Sequence, residues 1–236
     1  YGVSGLVGTL SKGAKHQYIS CNFTMTANGQ TVFKPYVIKT YGSAKVAYIG
    51  ISDPQTISKS GASFKNSDGS AAYSFADGSG GKKLYEAVQN AIDEAKAAGA
   101  DYIVAIGHLS TTGDAAYTPK SVIENTTGIQ AFIDGNTHTA IVGEKVKGAD
   151  GAEALLTCAG AGLNNIGVLT ITAGKRISSQ LVNSYRLRDI KTKDGIDALT
   201  KKYKQNLQES FATTSSRLEA ANSSGVRIVE GAETNL

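Results

Sequence analysis

Three side chains that could bind a metal ion follow two strand-like segments of the sequence. His108 comes directly after the apolar run "IVAIG", and Asn136 and His138 follow the run "AFIDG". Because the carboxyl ends of parallel strands meet at one edge of an α/β sheet, we expect these side chains to emerge there together. Imidazole nitrogens and amide oxygens both bind divalent cations. The pattern predicts a metal site, but a histidine after a strand is more often structural, and that alternative stays open.

Other polar residues near these segments have more ordinary roles. Asp134 precedes Gly135, and we expect its carboxylate to orient neighbouring groups through hydrogen bonds rather than to bind metal directly. Gly135 is expected to let the backbone turn tightly at the sheet edge. His16 lies in the polar segment "GAKHQ" and is expected at the surface, whereas Asp114 is expected to cap a turn or helix.

Common nucleotide-binding and nucleophile motifs are missing from the sequence. It contains no GxGxxG, GxxxxGK[ST] or GxSxG pattern. The segment "GSGGKK" has no apolar strand before it, so we do not expect it to bind phosphate as a P-loop does.

Composition indicates a globular chain with a substantial core. Of 236 residues, 41% are hydrophobic and 19% are charged, and no apolar run approaches the roughly 20 residues of a membrane span. The net charge is +4 and the lysines are scattered, which does not favour a nucleic-acid groove. Cys21 and Cys158 each end an apolar run and are expected to be buried, although one disulfide between them stays possible.

The elements that would position the candidate metal ligands alternate between strands and helices. The segment "TVFKPYVIKTYGSAKVAYIGI" predicts a hairpin that turns at Gly42 and Ser43. Apolar residues at helical spacing predict a helix over residues 82–98, ended by Gly99. The strand "DYIVAIGHL", a short helix in "TPKSVIENT" and the strand "IQAFIDG" follow, an order typical of parallel strands.

Outside this alternation the patterns predict simpler elements. "YISCNF" is expected to form a strand, and the Ser/Gly-rich residues 58–81 a flexible surface loop. Four β-forming runs between residues 138 and 187 predict a meander or mixed sheet. An amphipathic helix is predicted from Asp194 to about Leu218. N-x-S/T sequences at Asn22, Asn125 and Asn222 permit glycosylation if the source is a eukaryote.

Two motifs in order carry a family resemblance. "DYIVAIGHLSTTGD" followed by "GIQAFIDGNTHT" resembles the 5′-nucleotidase family of calcineurin-like metallophosphoesterases, which includes UDP-sugar hydrolases and 2′,3′-cyclic nucleotide phosphodiesterases. The hairpin "PYVIKTYGSAKVAYIGISDP", the initial "YG" and the final "GAETNL" also resemble family segments. The resemblance implies that residues 1–190 are the second half of a four-layer α/β/β/α catalytic domain with mixed sheets. Residues 191–236 would be a linker helix leading to an absent C-terminal substrate-binding domain.

The resemblance also implies an activity. Family members hydrolyse phosphate esters, above all 5′-nucleotides, at two divalent metal ions, with zinc or manganese expected first and magnesium or calcium also compatible. His108 matches a ligand of the second metal, and His138 matches a position on the first metal. Asn136 replaces a histidine ligand of the second metal, which should favour an oxygen-preferring cation.

The other ligands of the family would come from sequence outside this chain. We therefore expect the segment alone to hydrolyse little, and the parent protein to be periplasmic, extracellular or at the cell surface. The alternative is an inactive fragment or a scaffold that keeps the fold.

Overall fold

The computed structural model of the chain describes residues 2–60, 63–109, 114–172, 174, 176–187 and 194–208. By their internal contacts the residues form two units, Tyr1–Arg188 and Asp189–Leu236. The described strands are β1 (Thr24–Met25), β2 (Tyr36–Tyr41), β3 (Ala44–Ser52), β4 (Tyr73–Ser74), β5 (Tyr102–His108), β6 (Ala131–Asp134), β7 (Ala140–Lys147), β8 (Glu153–Ala159), β9 (Asn165–Thr172) and β10 (Arg176–Asn183). The described α-helices are α1 (Gly2–Gly5), α2 (Ser11–Gly13), α3 (Thr56–Lys59), α4 (Lys82–Ala97), α5 (Pro119–Glu124) and α6 (Asp194–Gln208).

A mixed six-stranded sheet organises the first unit, in the order β2-β3-β5-β6-β8-β7. The four central strands run parallel, and the edge strands β2 and β7 pair antiparallel with their neighbours. β9 and β10 form a separate antiparallel pair. The predicted hairpin, the parallel strands and the later β-rich region are therefore confirmed.

The helices α4 and α5 form where the sequence predicts them. The apolar residues at helical spacing in α4 are all buried: Leu84, Val88, Ala91, Ile92 and Ala95. Gly99 follows the helix with φ of +86°, the left-handed conformation that ends a helix most easily on glycine. In α5, Pro119 occupies the first turn and the Thr118 hydroxyl accepts a hydrogen bond from the Ser121 amide, 3.1 Å away.

Alternate residues of the central strands face two different layers. Ala47 and Ile49 of β3 and Ile103 of β5 pack with the buried faces of α4 and α5. On the other face, Val46 and Val104 belong to a cluster packed against Leu169, Ile171 and Ile177 of β9 and β10. Helices, the main sheet and the β9–β10 pair thus form successive layers, as expected for part of an α/β/β/α domain.

The described part of residues 58–81 contributes two phenylalanines to the core, which its composition does not indicate. Phe64 and Phe75 are buried, and they form a second core with Val3 and Phe23. β4 lies within this segment and pairs with β1. Most of the segment's described residues are exposed, as expected for a surface loop, but Phe64 and Phe75 anchor the segment to a core that its composition does not indicate.

The predicted strand over residues 18–23 is not formed; only Ile19 makes a bridge, with Lys34. The reason lies in Asn22, which is fully buried and uses its side chain where a strand would use its backbone. Its amide nitrogen donates to the carbonyls of Ser52 and Phe75, at 2.8 and 2.9 Å, and its Oδ1 accepts from the Ser52 amide at 2.9 Å. A side chain in this position is closed to glycosylation in the folded protein, whereas Asn125 is exposed.

Cys21 and Cys158 are both buried and both free, so the prediction of buried cysteines is confirmed and the possible disulfide is not formed. Burial raises the pKa of the Cys21 thiol to about 12.

The second unit is described only in α6, part of the predicted amphipathic helix. Its apolar residues Ile196, Leu199 and Tyr203 are exposed. The predicted continuation to Leu218 lies outside the described residues. None of the described helices meets the length and hydropathy needed to cross a membrane.

The close approach of the segment around Ile19 to β3 depends on Gly50. A Cβ atom at this position would run into the backbone carbonyl of Ile19. We predict that Gly50→Ala lowers the free energy of unfolding by about 1–3 kcal/mol in urea denaturation, because the two backbones must separate. Gly13→Ala is the matched control, since a Cβ there meets nothing within 4 Å. Equal stability of the two variants would contradict this description of the contact.

Candidate functional site

The carboxyl ends of β3, β5 and β6 place the candidate residues at one edge of the sheet. In the parallel register, His108 lies opposite Ser52, and Gly107 lies opposite Asp134. His108 at the end of β5 therefore stands between the residues that follow β3 on one side and those that follow β6 on the other.

His108 and Asn136 line the same cavity, of about 280 Å³, with Asp53, Thr56, Lys59 and Ser60. The imidazole of His108 lies beside the backbone that leads to Asn136, because a Cβ atom on Gly135 would be 3.7 Å from its Nδ1. The structure thus brings together the two residues that the family resemblance assigns to one metal ion.

His138 has a different position from these two residues. Its side chain is exposed, and it is not among the described residues that line the cavity. The left-handed backbone of this turn falls on His138, with φ of +53°, and Gly135 does not have a positive φ. Thr137, between Asn136 and His138, directs its hydroxyl to the Cys158 sulfur, 3.6 Å away.

Asp134 is buried behind the site and holds the backbone that follows His108. Its Oδ1 accepts a hydrogen bond from the Leu109 amide at 3.0 Å. Burial raises the pKa of the Asp134 carboxyl, although the bond from Leu109 acts in the opposite direction. Its Oδ2 has no hydrogen-bond partner within the described residues. The carboxylate fixes the end of β5 and therefore the backbone from which the His108 side chain extends.

Asp53 also lines the cavity, and the sequence analysis did not single it out. It is 4% exposed, and its Oδ1 accepts from the Gln55 amide at 2.9 Å. Its Oδ2 accepts from Nζ of Lys59 at 3.0 Å, so a buried carboxylate is balanced by a half-exposed ammonium group. The sequence does contain an indication of its position: in "ISDP", Asp53 directly follows the apolar strand β3, and strand ends of this kind also carry His108 and Asn136.

The other polar residues considered in the sequence lie where they were predicted. His16 is exposed and its ring contacts that of Tyr18, with centroids 5.0 Å apart. Asp114 caps a short 3₁₀-helix by accepting a hydrogen bond from the Ala116 amide at 2.9 Å.

The donor atoms at the cavity would supply part of a metal shell. The His108 imidazole provides a nitrogen donor and the Asn136 amide an oxygen donor, both suitable for a divalent cation. Among the described residues, no group of three or more His, Cys, Asp or Glu side chains could hold a metal ion. His108 and Asn136 therefore fit a metal ion as an incomplete ligand set.

The Asp53–Lys59 pair makes a specific prediction about stability. We expect Lys59→Met to lower the free energy of unfolding by about 1–3 kcal/mol, because it leaves the buried Asp53 carboxylate unpaired. The double variant Asp53→Asn/Lys59→Met should recover most of this loss. Both stabilities are measured by urea denaturation.

Lys120→Met is the control for this experiment, because Lys120 and its partner Glu144 are both substantially exposed. We expect that variant to cost about 0–1 kcal/mol. A cost for Lys59→Met no greater than for Lys120→Met would contradict the description of Asp53 as a carboxylate that needs its partner.

Comparison with solved structures finds proteins of the same fold. Sulfate thiohydrolase SoxB of Thermus thermophilus has a TM-score of 0.68 and 19% identity, over 90% of this chain and 36% of that protein. A 5′-nucleotidase precursor, also from Thermus thermophilus, has a TM-score of 0.60 and 21% identity, over 88% of this chain and 42% of its own. NAD nucleotidase (NadN) of Haemophilus influenzae has a TM-score of 0.59 and 16% identity, over 86% and 48%.

Comparison with family models finds no match, and comparison with curated proteins finds none either. The chain spans between 36% and 48% of the length of the three solved proteins. The similarity agrees with the mixed sheet of this chain. The chain therefore has the mixed α/β fold of the 5′-nucleotidase family structures.

Proposed function

We propose that this chain is part of a metal-dependent hydrolase of phosphate esters, with 5′-nucleotides as its first substrate class. One observation carries the proposal: His108 and Asn136 line one cavity at the carboxyl edge of the parallel strands. Sites in α/β sheets form at this edge, and the fold is that of solved 5′-nucleotidases.

In this proposal His108 and Asn136 hold one divalent cation and His138 belongs to a second. This division explains why His138 need not line the cavity that the other two share. A divalent cation, when bound, supplies positive charge to the phosphate oxygens as the ester bond breaks. Zinc or manganese suits the imidazole, and the Asn136 oxygen also accepts magnesium or calcium.

The chain's own residues would prepare the edge for an anionic substrate. Lys59 brings an ammonium group to the cavity wall and balances the Asp53 carboxylate, so that Asp53 does not repel a phosphate. Asp134 holds the Leu109 amide and keeps the end of β5 fixed. Positioning of this kind reduces the reorganisation that catalysis requires.

The whole protein would complete the site. We propose that its remaining parts supply the other metal ligands and a substrate-binding domain, and that it acts in the periplasm, outside the cell or at the cell surface. The name of SoxB, a sulfate thiohydrolase, indicates that one fold serves more than one kind of hydrolysis. The nucleotide proposal therefore depends on the "GNTHT" and "GHLS" motifs rather than on the fold.

The alternative is a scaffold or binding protein that keeps the fold and has lost hydrolysis. Asn136 favours it, because an amide in place of an imidazole weakens binding of zinc-like ions. The two proposals differ in metal affinity, which can be measured on the purified chain.

We predict that Asn136→His raises zinc affinity of the chain about tenfold or more, and that His108→Ala lowers it by a similar factor, as imidazole is the stronger donor. Isothermal titration with zinc measures both changes. His16→Ala is the matched control, because His16 is exposed and does not line the cavity.

Unchanged affinity in the His108 and Asn136 variants would remove these residues from the metal site. Absence of zinc binding by the wild-type chain and by Asn136→His would favour the scaffold. Loss of affinity in His16→Ala alone would assign the binding to the surface.

A further inference from the structure

The cavity of about 280 Å³ at the carboxyl edge contains a negatively charged side chain beside the two proposed metal ligands. Asp53 lines this cavity together with His108 and Asn136. The strand register brings Asp53 near His108, because Ser52, the last residue of β3, lies opposite His108. A carboxylate oxygen, an imidazole nitrogen and an amide oxygen are all ligands of divalent cations. The cavity therefore offers a third donor side chain, which the family resemblance does not assign.

The carboxylate of Asp53 is buried in a way that requires a positive charge. Its side chain is 5% exposed, and its Oδ1 accepts a hydrogen bond from the Gln55 amide at 2.9 Å. Its Oδ2 lies 3.0 Å from the ammonium nitrogen of Lys59. Buried charges in proteins are either paired or bound to metal ions. Oδ2 of Asp53 therefore already holds a cationic group at the cavity.

The ammonium group of Lys59 is a partner that can be exchanged. The Lys59 side chain is 47% exposed, and Lys59 is the last residue of the short helix α3. A long lysine side chain of this kind can turn its charged end into water at little cost. A divalent cation in its place would balance the Asp53 carboxylate with twice the charge. An ammonium group has no acceptor atom for a metal ion, so the two cations compete for Oδ2.

We propose that Asp53 is a third ligand, through Oδ2, of the cation that His108 and Asn136 hold, and that Lys59 occupies the position of this cation in the metal-free protein. The inference rests on the proposed function, because it concerns the same metal site. A charged carboxylate compensates for the amide of Asn136, which is a weaker donor than imidazole. Two oxygen donors and one nitrogen donor suit manganese, which accepts both kinds of ligand.

The experiment measures the affinity of the complete chain for manganese chloride by isothermal titration. Lys59→Met should raise the affinity about tenfold, because the competing ammonium group is lost and the carboxylate stays. The double variant Asp53→Asn/Lys59→Met should bind manganese at least about tenfold more weakly than Lys59→Met, because an amide replaces the carboxylate. The two variants differ only at residue 53, so their comparison isolates the proposed ligand.

Urea denaturation provides a second measurement that does not depend on activity. Without metal, Lys59→Met should unfold at a lower urea concentration than the wild type, because the Asp53 carboxylate is unpaired. Saturating manganese should bring the two unfolding midpoints together, since a cation that binds only the folded chain stabilises it. The midpoint of the double variant should respond much less to manganese.

Lys120→Met is the matched control for the loss of a positive charge. Lys120 pairs with Glu144 at 2.6 Å, both side chains are substantially exposed, and neither residue lines the cavity. The variant changes the net charge of the chain by the same amount as Lys59→Met. Its manganese affinity should stay within about twofold of the wild type, because exposed charges at a distance are screened by salt.

The outcomes separate this inference from the proposed function. If His108→Ala weakens manganese binding while Lys59→Met binds as the wild type does, the inference is overturned and the proposed function stands. The same holds if the double variant keeps the higher affinity of Lys59→Met, or if Lys120→Met gains as much. If neither the wild type nor Lys59→Met binds manganese, the inference and the proposed metal site are both overturned.

Discussion

The alignment of β3, β5 and β6 is the constraint on which the candidate site depends. Ser52, His108 and Asp134 reach the same edge because the three strands are parallel and in register. A shift of one residue would move a strand end by about 3.3 Å and turn its side chains to the opposite face. The register is held by buried side chains such as Ile49 and Phe132, packed with α4. The core therefore determines which polar groups can meet at the edge.

The electrostatics of this edge depend on its two buried acids, Asp53 and Asp134. Asp53 accepts from Lys59 and from the Gln55 amide, whereas Asp134 accepts from the Leu109 amide. The Asp53 carboxylate, paired with Lys59, repels an approaching anion less than a free carboxylate would, whereas Oδ2 of Asp134 has no hydrogen-bond partner among the described residues. The His108 imidazole and the Asn136 amide lie beside them and offer ligand atoms for a cation. The ammonium group of Lys59 is also at this edge.

Much of the fold could be predicted from the sequence because local patterns and tertiary packing agree. The apolar spacing of Leu84, Val88 and Ile92 predicted α4 and its buried face. The order of strand, helix and strand predicted the parallel pairing that brings His108 near Asn136. The site was harder to predict. Asp53 directly follows β3, but its "SDP" segment is also typical of an ordinary turn, and the strand register is needed to place it beside His108. His138 has an exposed side chain and a left-handed backbone, and the motif "GNTHT" specifies neither.

Long-range packing explains the remaining errors. The composition of residues 58–81 indicates a loop, but Phe64 and Phe75 lie eleven positions apart and join a core with Phe23. Asn22 looks like a strand residue in "YISCNF", yet its side chain bonds to Ser52 and Phe75, which are distant in sequence. No local pattern encodes either arrangement.

The most direct test of the account is the position of a bound metal ion. Crystals of the chain grown with zinc would locate the ion by anomalous scattering at the zinc edge. We expect a site at the carboxyl edge of β5 and β6, with a His108 ring nitrogen and the Asn136 side-chain oxygen about 2.0–2.2 Å from the ion. Zinc bound only at surface residues such as His16, with no ion between His108 and Asn136, would contradict it.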